Sequence, residues 1–203
     1  YVLMNNDIEV LQENWMEQML SNCEREEVGV VGARLYYPDN TIQHAGLVIG
    51  IGGSLRGIGA NLYQGMRRER SGYLHRAAFQ MNYSAVTAAL MMVKKEVYEK
   101  AGGFEEELSV AFNDVDFCLR VRNIGYLIVY DPLVEAYHYE SKSRGAEDSP
   151  EKVARFQAEI EFMRNRWENL LKKGDPNYNI HFSRVRADYS LGDPEMILRQ
   201  NRK

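Results

Sequence analysis

Tyr1-Val2-Leu3-Met4-Asn5-Asn6-Asp7-Ile8-Glu9-Val10 opens the chain, and its reading organises the rest. Residues 1–4 are apolar and read as a buried strand. Asn5, Asn6 and Asp7 arrive together at its end. A strand that stops at a polar cluster ending in a carboxylate places that carboxylate at the carboxyl edge of a sheet, where open α/β sheets bind ligands. Oxygen donors there suit a hard cation such as Mg2+ or Mn2+, which in turn suits phosphates. A helix cap at Asn6 or Asp7 accounts for the same residues, and this stretch alone leaves both readings open.

The 203 residues suffice for one domain with an appendage, and 45% hydrophobic with 27% charged residues is the balance of a globular protein. The net charge is −4 and no basic stripe appears, which argues against nucleic acid as a partner. Cys23 and Cys118 are the only cysteines and fall in helix-like stretches; they read as reduced and buried. No signal peptide and no apolar run of membrane-spanning length is visible, so the expected location is the cytoplasm. The sequence starts with Tyr1 inside an apparent buried strand, which needs neighbours on both edges. The expectation is therefore an excised piece of a longer protein. Pairing of a truncated sheet edge into a homodimer is a further expectation, visible as concentration-dependent light scattering.

Along the chain, Leu11, Trp15, Met19 and Leu20 predict a helix over 12–23. Residues 28–37 and 41–51 read as a hairpin around Pro38-Asp39-Asn40. Residues 46–59 are glycine-rich but carry neither Gly-Lys-Ser/Thr nor a Gly-x-Gly-x-x-Gly that opens a helix, and read as a flexible loop. Residues 61–82 read as an irregular surface segment. A buried strand over 86–93 and a short helix over 95–101 follow, the helix stopped by Gly102-Gly103.

Phe112-Asn113-Asp114-Val115-Asp116 leads into a helix over 115–124 closed by Gly125. Capping explains one of these aspartates well and two less well. Residues 126–130 and 133–139 read as two strands separated by Asp131-Pro132, the second delivering His138 to its end. Glu140 to Gly145 is a polar loop in which Arg144 has the fork geometry for phosphate. Ser149-Pro150 starts a long helix, Ser as cap and Pro at the first position. Its stripe is Val153, Phe156, Ile160, Met163, Trp167, Leu170 and Leu171. The domain reading is 1–174 as the folded unit and 175–203 as a polar tail.

Three segments taken together carry a family resemblance. They are residues 3–10, Ala101-Gly102-Gly103-Phe104 with residues 112–120, and Tyr137-His138-Tyr139 with residues 140–145. In this order the chain resembles the inverting family 2 glycosyltransferases of the GT-A fold, over residues 1–171. The resemblance implies an α/β fold with a GT-A-like mixed sheet flanked by helices. It also implies that the sheet is incomplete here, because the family's amino-terminal nucleotide-binding half is absent. Asp7 resembles the last aspartate of the family's Asp-x-Asp motif, the metal ligand, and His138 a late histidine that completes the metal site. Asn5 stands where the motif has its first aspartate, on the donor side, and Arg144 is implied to touch the donor diphosphate. Asp114 resembles the general base. Asn113 stands in place of the glutamate before it and, with Gly103 and Phe104, is implied to shape the acceptor side.

The implied cofactor is Mn2+ or Mg2+, and the implied partners are a nucleotide-sugar donor and a glycan or polysaccharide acceptor. Peripheral association with the inner face of the cell membrane goes with a role in cell-envelope polysaccharide biosynthesis. The chemistry suits the residue types. In an inverting transfer a carboxylate takes the acceptor hydroxyl proton while a cation neutralises the departing diphosphate, so the two acids must sit on separate elements. By itself this piece is expected to transfer no sugar. The alternative is a non-catalytic carbohydrate-binding or scaffolding module derived from such an enzyme. The two readings part on whether Asp7, Asp114 and His138 converge on one cleft.

Overall fold

The structure, a computed structural model, describes residues 1–52, 57–139 and 149–193. The elements run β1 (Val2–Met4), β2 (Ile8–Val10), α1 (Trp15–Cys23), β3 (Val28–Tyr36), β4 (Ile42–His44), β5 (Leu47–Ile49), β6 (Gly59–Asn61), β7 (Met81–Tyr83), β8 (Leu90–Val93), α2 (Lys95–Lys100), α3 (Asn113–Asn123), β9 (Leu127–His138) and α4 (Pro150–Lys173). β3 and β9 pair in parallel and form the axis of a mixed sheet ordered β1-β8-β3-β9-β2. The short antiparallel strands attach around this pair. β8 and β4 lie along β3, and β7 and β2 along β9.

Every residue of β3 is buried. A parallel pair is covered on both faces, so its residues read as a continuous apolar run rather than an alternation. On one face, Met19 and Cys23 of α1 pack with Val31, Ala33, Leu35, Leu90 and Val129. On the other, α3 and α4 pack with Val30, Tyr130, Val86 and the small sheet. The result is the α/β mixed sheet flanked by helices that the sequence predicts, in keeping with a GT-A-like architecture. Both cysteines are buried and free. Among the described residues no helix is long and apolar enough to cross a membrane.

Several expectations are corrected. Residues 1–4 are not a buried strand: β1 is an edge strand on β8, with Tyr1, Val2 and Met4 more than one-third exposed. An apolar run of four does not reveal which neighbours it will have. The expected hairpin holds for β3 and β4, but Gly46, at φ +89°, redirects the chain. β5 then pairs with β6 in a separate buried two-stranded sheet where a flexible loop was expected. β7 lies in the segment read as irregular. Asp131-Pro132 does not divide a strand in two. β9 continues through it, and the β3 register jumps from Ala33↔Asp131 to Arg34↔Glu135. Proline has no N–H for the ladder, and the bulge accommodates it. The buried Asp131 carboxylate accepts hydrogen bonds from Gln18 and Asn22 of α1 at 2.9 and 2.7 Å, locking that helix to the bulge.

Residues 175–193, expected as part of a tail, pack on the body of the protein. Tyr178 and Tyr189 are buried, and Tyr189 lies against Tyr63, Tyr73, Tyr178 and Phe182 at centroid distances of 4.9–5.7 Å. The aromatic side chains spaced through this polar stretch supply its anchor.

α4 begins as the sequence predicts, with Ser149 accepting a hydrogen bond from Lys152 N. It fixes α3 through a buried charge. Asp116, with no exposed surface, accepts from Arg120 Nε and from Trp167 Nε1, each at 2.8 Å. Removing one member of a buried ion pair costs about 3–5 kcal/mol, since the partner charge is left unpaired. Asp116→Ala should lower stability by that amount in urea unfolding, with Trp167 fluorescence reporting the loss of the α3–α4 contact.

Candidate functional site

Met4 pairs with Leu90 of β8 and Ile8 pairs with His138 of β9, so Asn5, Asn6 and Asp7 carry the chain from one strand to the other in three residues. Asp7 is half-buried there. Its Oδ1 is buried, accepts no hydrogen bond among the described residues, and lies 3.3 Å from Nε2 of His138. His138 is itself buried, and its Nδ1 lies 2.7 Å from Oε1 of Gln43 in β4. An amide oxygen only accepts, so Nδ1 carries a proton, and in the neutral ring Nε2 then presents its lone pair. That lone pair faces the Asp7 oxygen and, at 3.2 Å, the Asn5 side-chain amide.

With the ring neutral, two electron-rich atoms face each other at the end of β9. A proton or a cation between them relieves the repulsion. Their spacing suits adjacent donors on an octahedral ion with bonds of about 2.1 Å. The donor types, carboxylate and imidazole, suit Mn2+ or Mg2+ with imidazole the less usual ligand. Among the described residues no third His, Cys, Asp or Glu joins the pair. Such partial sets are usual where the ion is shared with phosphates and water. The residues present fit the cation.

The second acid sits close by in the hydrogen-bond network. Asn5 N donates to Ala89 O at 2.9 Å, and the neighbouring Ala88 N donates to Oδ2 of Asp114 at 3.2 Å. Asp114 Oδ1 accepts from Val115 N at 2.8 Å. Burial holds the Asp114 carboxyl above the usual carboxylate range, while the Ala88 and Val115 N–H groups pull the other way. His44, next to Gln43, completes the support. Its Nδ1 is 2.7 Å from Asn61 Oδ1, and its Nε2 accepts from Thr87 N at 3.3 Å. Burial pushes the His44 imidazole down to about 4; the Asn61 contact opposes this and the nearby His138 adds to it.

The start of α3 is held from outside. Phe112 caps the helix in the left-handed region at φ +64°, a costly conformation for a non-glycine residue. Its ring stacks on Phe156 of α4 at 5.6 Å. The buried Glu159 carboxylate gathers Val110 N, Ala111 N and Ser109 Oγ. Asp114 and Asp116 thus divide their work, one facing the Ala88 loop and the other tying α3 to α4.

Of the residues singled out in the sequence, Asn5 and Asp7 both contact His138. Asp114 joins them through the Ala88-Ala89 backbone. Asn113 lies beside it, its Oδ1 accepting from Asp114 N at 2.7 Å. Gly103 and Phe104 lie elsewhere in the fold's contacts, at the end of α2. Gly103 N donates to Tyr98 O, and the Phe104 ring packs on Tyr98 and Phe117. Arg144 lies outside the described residues. Gln43, His44, Asn61 and Thr87 were not singled out. The available signal was the pair Gln43-His44 inside an otherwise apolar run, since buried polar residues must be partnered.

No family model matches the chain. It is 48% identical over 197 residues to an uncharacterized protein of Sinorhizobium fredii, a match covering 97% of this chain and 21% of that protein. It is 34% identical over 190 residues to an O-antigen biosynthesis protein of Myxococcus xanthus, covering 94% of this chain and 14% of that protein. Over 81 residues it is 26% identical to an N-acetylglucosaminyl-diphospho-decaprenol L-rhamnosyltransferase of Mycobacterium tuberculosis, covering 40% of this chain and 26% of that protein. The chain thus spans about a fifth or less of the length of the first two relatives.

His44 gives a pH signature. Its folded value of about 4 lies below the ordinary 6.5, so the unfolded chain binds the proton first as pH falls. The stabilisation is complete above the ordinary value and is lost as pH drops toward the folded one, by about 3 kcal/mol. The raised Asp114 carboxyl works in the opposite sense over its own range and is common to wild type and variant. Urea unfolding between neutral pH and the folded value should show a steeper loss of stability in wild type than in His44→Gln.

Proposed function

We propose that the chain forms part of the catalytic domain of an inverting, metal-assisted glycosyltransferase of family 2. The enzyme moves a sugar from a nucleotide-diphosphate sugar to a hydroxyl of a glycan or polysaccharide. The observation that carries this reading is the buried Asp7 Oδ1, which accepts no hydrogen bond among the described residues and faces His138 Nε2, with Asp114 tied to the same network by consecutive peptide groups. The relatives named for O-antigen biosynthesis and rhamnosyl transfer support the same class of chemistry. Synthesis of a cell-envelope polysaccharide on the inner membrane face is the setting this implies.

In this reading Asp7 and His138 would hold Mn2+ or Mg2+, and Asn5 lies on the donor side. The ion supplies positive charge against the departing diphosphate. Asp114 accepts the proton of the acceptor hydroxyl as its oxygen bonds to the anomeric carbon and the bond from that carbon to the diphosphate oxygen breaks. Burial raises the basicity of Asp114 toward the range useful for a general base. Asn113, through its contact with the Asp114 backbone, fixes the entry of α3. Arg144 would pair with the diphosphate, and Gly103 and Phe104 would bear on the acceptor side only indirectly, through the packing of Phe104 on Phe117 of α3.

One observation favours the scaffolding alternative: both Asp114 oxygens already accept backbone N–H groups, as a helix cap would. Calorimetric titration of Mn2+ and nucleoside diphosphates into the full-length protein, as wild type, Asp7→Ala and Asp114→Asn, separates the two. The transferase reading expects metal-dependent nucleotide binding in wild type and its loss in Asp7→Ala. It expects retained binding in Asp114→Asn with transfer slowed by about a hundredfold or more. A wild type that binds no nucleoside diphosphate, with or without Mn2+, returns both acids to a structural role.

A further inference from the structure

β4 is the place where the two halves of the site are joined. Leu35 of β3 pairs with His44 and the next residue, Tyr36, pairs with Ile42, so the register shifts there and Gln43 is the extra residue of a β-bulge. In a regular strand, neighbouring side chains point to opposite faces. A bulge breaks that alternation and re-aims a side chain, which is why bulges recur beside active sites. Here Gln43 and His44 are both buried, and each serves a different half. Gln43 Oε1 lies 2.7 Å from His138 Nδ1, and His44 Nε2 accepts from Thr87 N. The residue after Thr87 donates to Asp114, and the next bonds the Asn5 backbone.

We infer that Gln43 and His44, set side by side by the bulge, are the positioning residues of the site: Gln43 for the metal-side His138 and His44 for the loop that holds Asp114. The inference rests on the glycosyltransferase reading for the purpose of the site, not for its geometry. Gln43, as an acceptor, selects the Nδ1–H form of His138 and so aims the Nε2 lone pair at Asp7. Such outer partners of a ligating histidine fix its tautomer and orientation, and their loss costs about 10- to 100-fold in metal affinity. His44 stays uncharged because it is buried. It uses one ring nitrogen as donor to Asn61 and the other as acceptor, which fixes the Thr87–Ala89 backbone without adding a charge beside Asp114.

The test uses the 203-residue chain with Mn2+ alone as the probe. 15N NMR of the histidine rings gives the His138 tautomer, amide hydrogen exchange reads the Ala88 N–H, and Mn2+ EPR titration gives the metal affinity. In wild type, His138 should be the Nδ1–H tautomer and the Ala88 amide should be protected. Gln43→Met should abolish the tautomer preference and weaken Mn2+ binding by about 10- to 100-fold, leaving Ala88 exchange unchanged. Gln43→Glu, which keeps an acceptor, should restore the tautomer. His44→Phe should speed Ala88 exchange by about tenfold or more with the His138 tautomer kept, and His44→Gln should restore protection. The inference is overturned by an Nε2–H His138 in wild type, by an unprotected Ala88 amide, or by variants that disturb both readouts alike. If wild type binds no Mn2+ but the tautomer and exchange patterns hold, the metal assignment fails while the positioning roles stand.

Discussion

The parallel pairing of β3 with β9 is the constraint on which the rest depends. These are the longest strands, and their register runs from Val28↔Leu127 to Tyr36↔Tyr137. A parallel pair exposes neither face, so α1 must cover one side and α3 and α4 the other. Its two outer edges are each shared between two short strands. β8 and β7 flank the amino-terminal halves, whereas β4 and β2 flank the carboxyl-terminal halves. This division separates tasks. The amino-terminal half of the sheet is apolar packing. The carboxyl-terminal half is bordered by the strand that carries Gln43 and His44 and by the strand that follows Asp7. A polar network placed at that edge costs the sheet little cohesion, because the apolar half already carries the core.

The polar network is nonetheless expensive. An unpaired buried polar group costs about 1–3 kcal/mol. The cluster meets this by pairing almost every atom it buries: Gln43 with His138, His44 with Asn61 and Thr87, and Asp114 with Ala88 and Val115. Among the described residues Asp7 Oδ1 accepts no hydrogen bond, although it is the group of the cluster with most to gain from one. Helix capping does not explain this, since Asp7 precedes β2 and not a helix. The two interpretations of the opening stretch are therefore unequal in the structure: the cap has no helix to serve, while the oxygen has an imidazole lone pair opposite it.

Much of this was legible in the sequence where the signal is long or chemically loaded. The apolar run of β3, the stripe of α4 and the Ser149-Pro150 start carry enough residues for their period and caps to be unambiguous. Asp7, Asp114 and His138 stood out because each ends or begins an element with a polar cluster. What was not legible depends on partners distant in sequence. Tyr1–Met4 is apolar whether it lies inside a sheet or on its edge. β2 and β7 have three residues each, too few for a period. Pro132 looks like a break until β3 is seen to run past the bulge. Gln43 and His44 cannot both be predicted to face inward from an alternating pattern, because only the bulge permits it. Phe182 and Tyr189 look like tail residues until Tyr63 and Tyr73 are placed against them.

The setting of Asp114 shows how distant residues decide a local property. It lies in the first turn of α3, where the helix dipole favours the ionised carboxylate and lowers its proton affinity. Burial acts in the opposite direction and is the larger effect here. Which effect prevails is set by the depth at which α3 begins, and α4 fixes that depth. Phe156 stacks on the strained Phe112, Glu159 gathers the N–H groups of residues 110 and 111, and Trp167 holds Asp116. Without these ties α3 could start one residue later, Phe112 could relax from its left-handed conformation, and Asp114 would become an ordinary exposed cap with an ordinary proton affinity. The long helix α4 thus helps to keep the second carboxylate half-buried, its proton affinity raised, and within one hydrogen bond of the Ala88 loop.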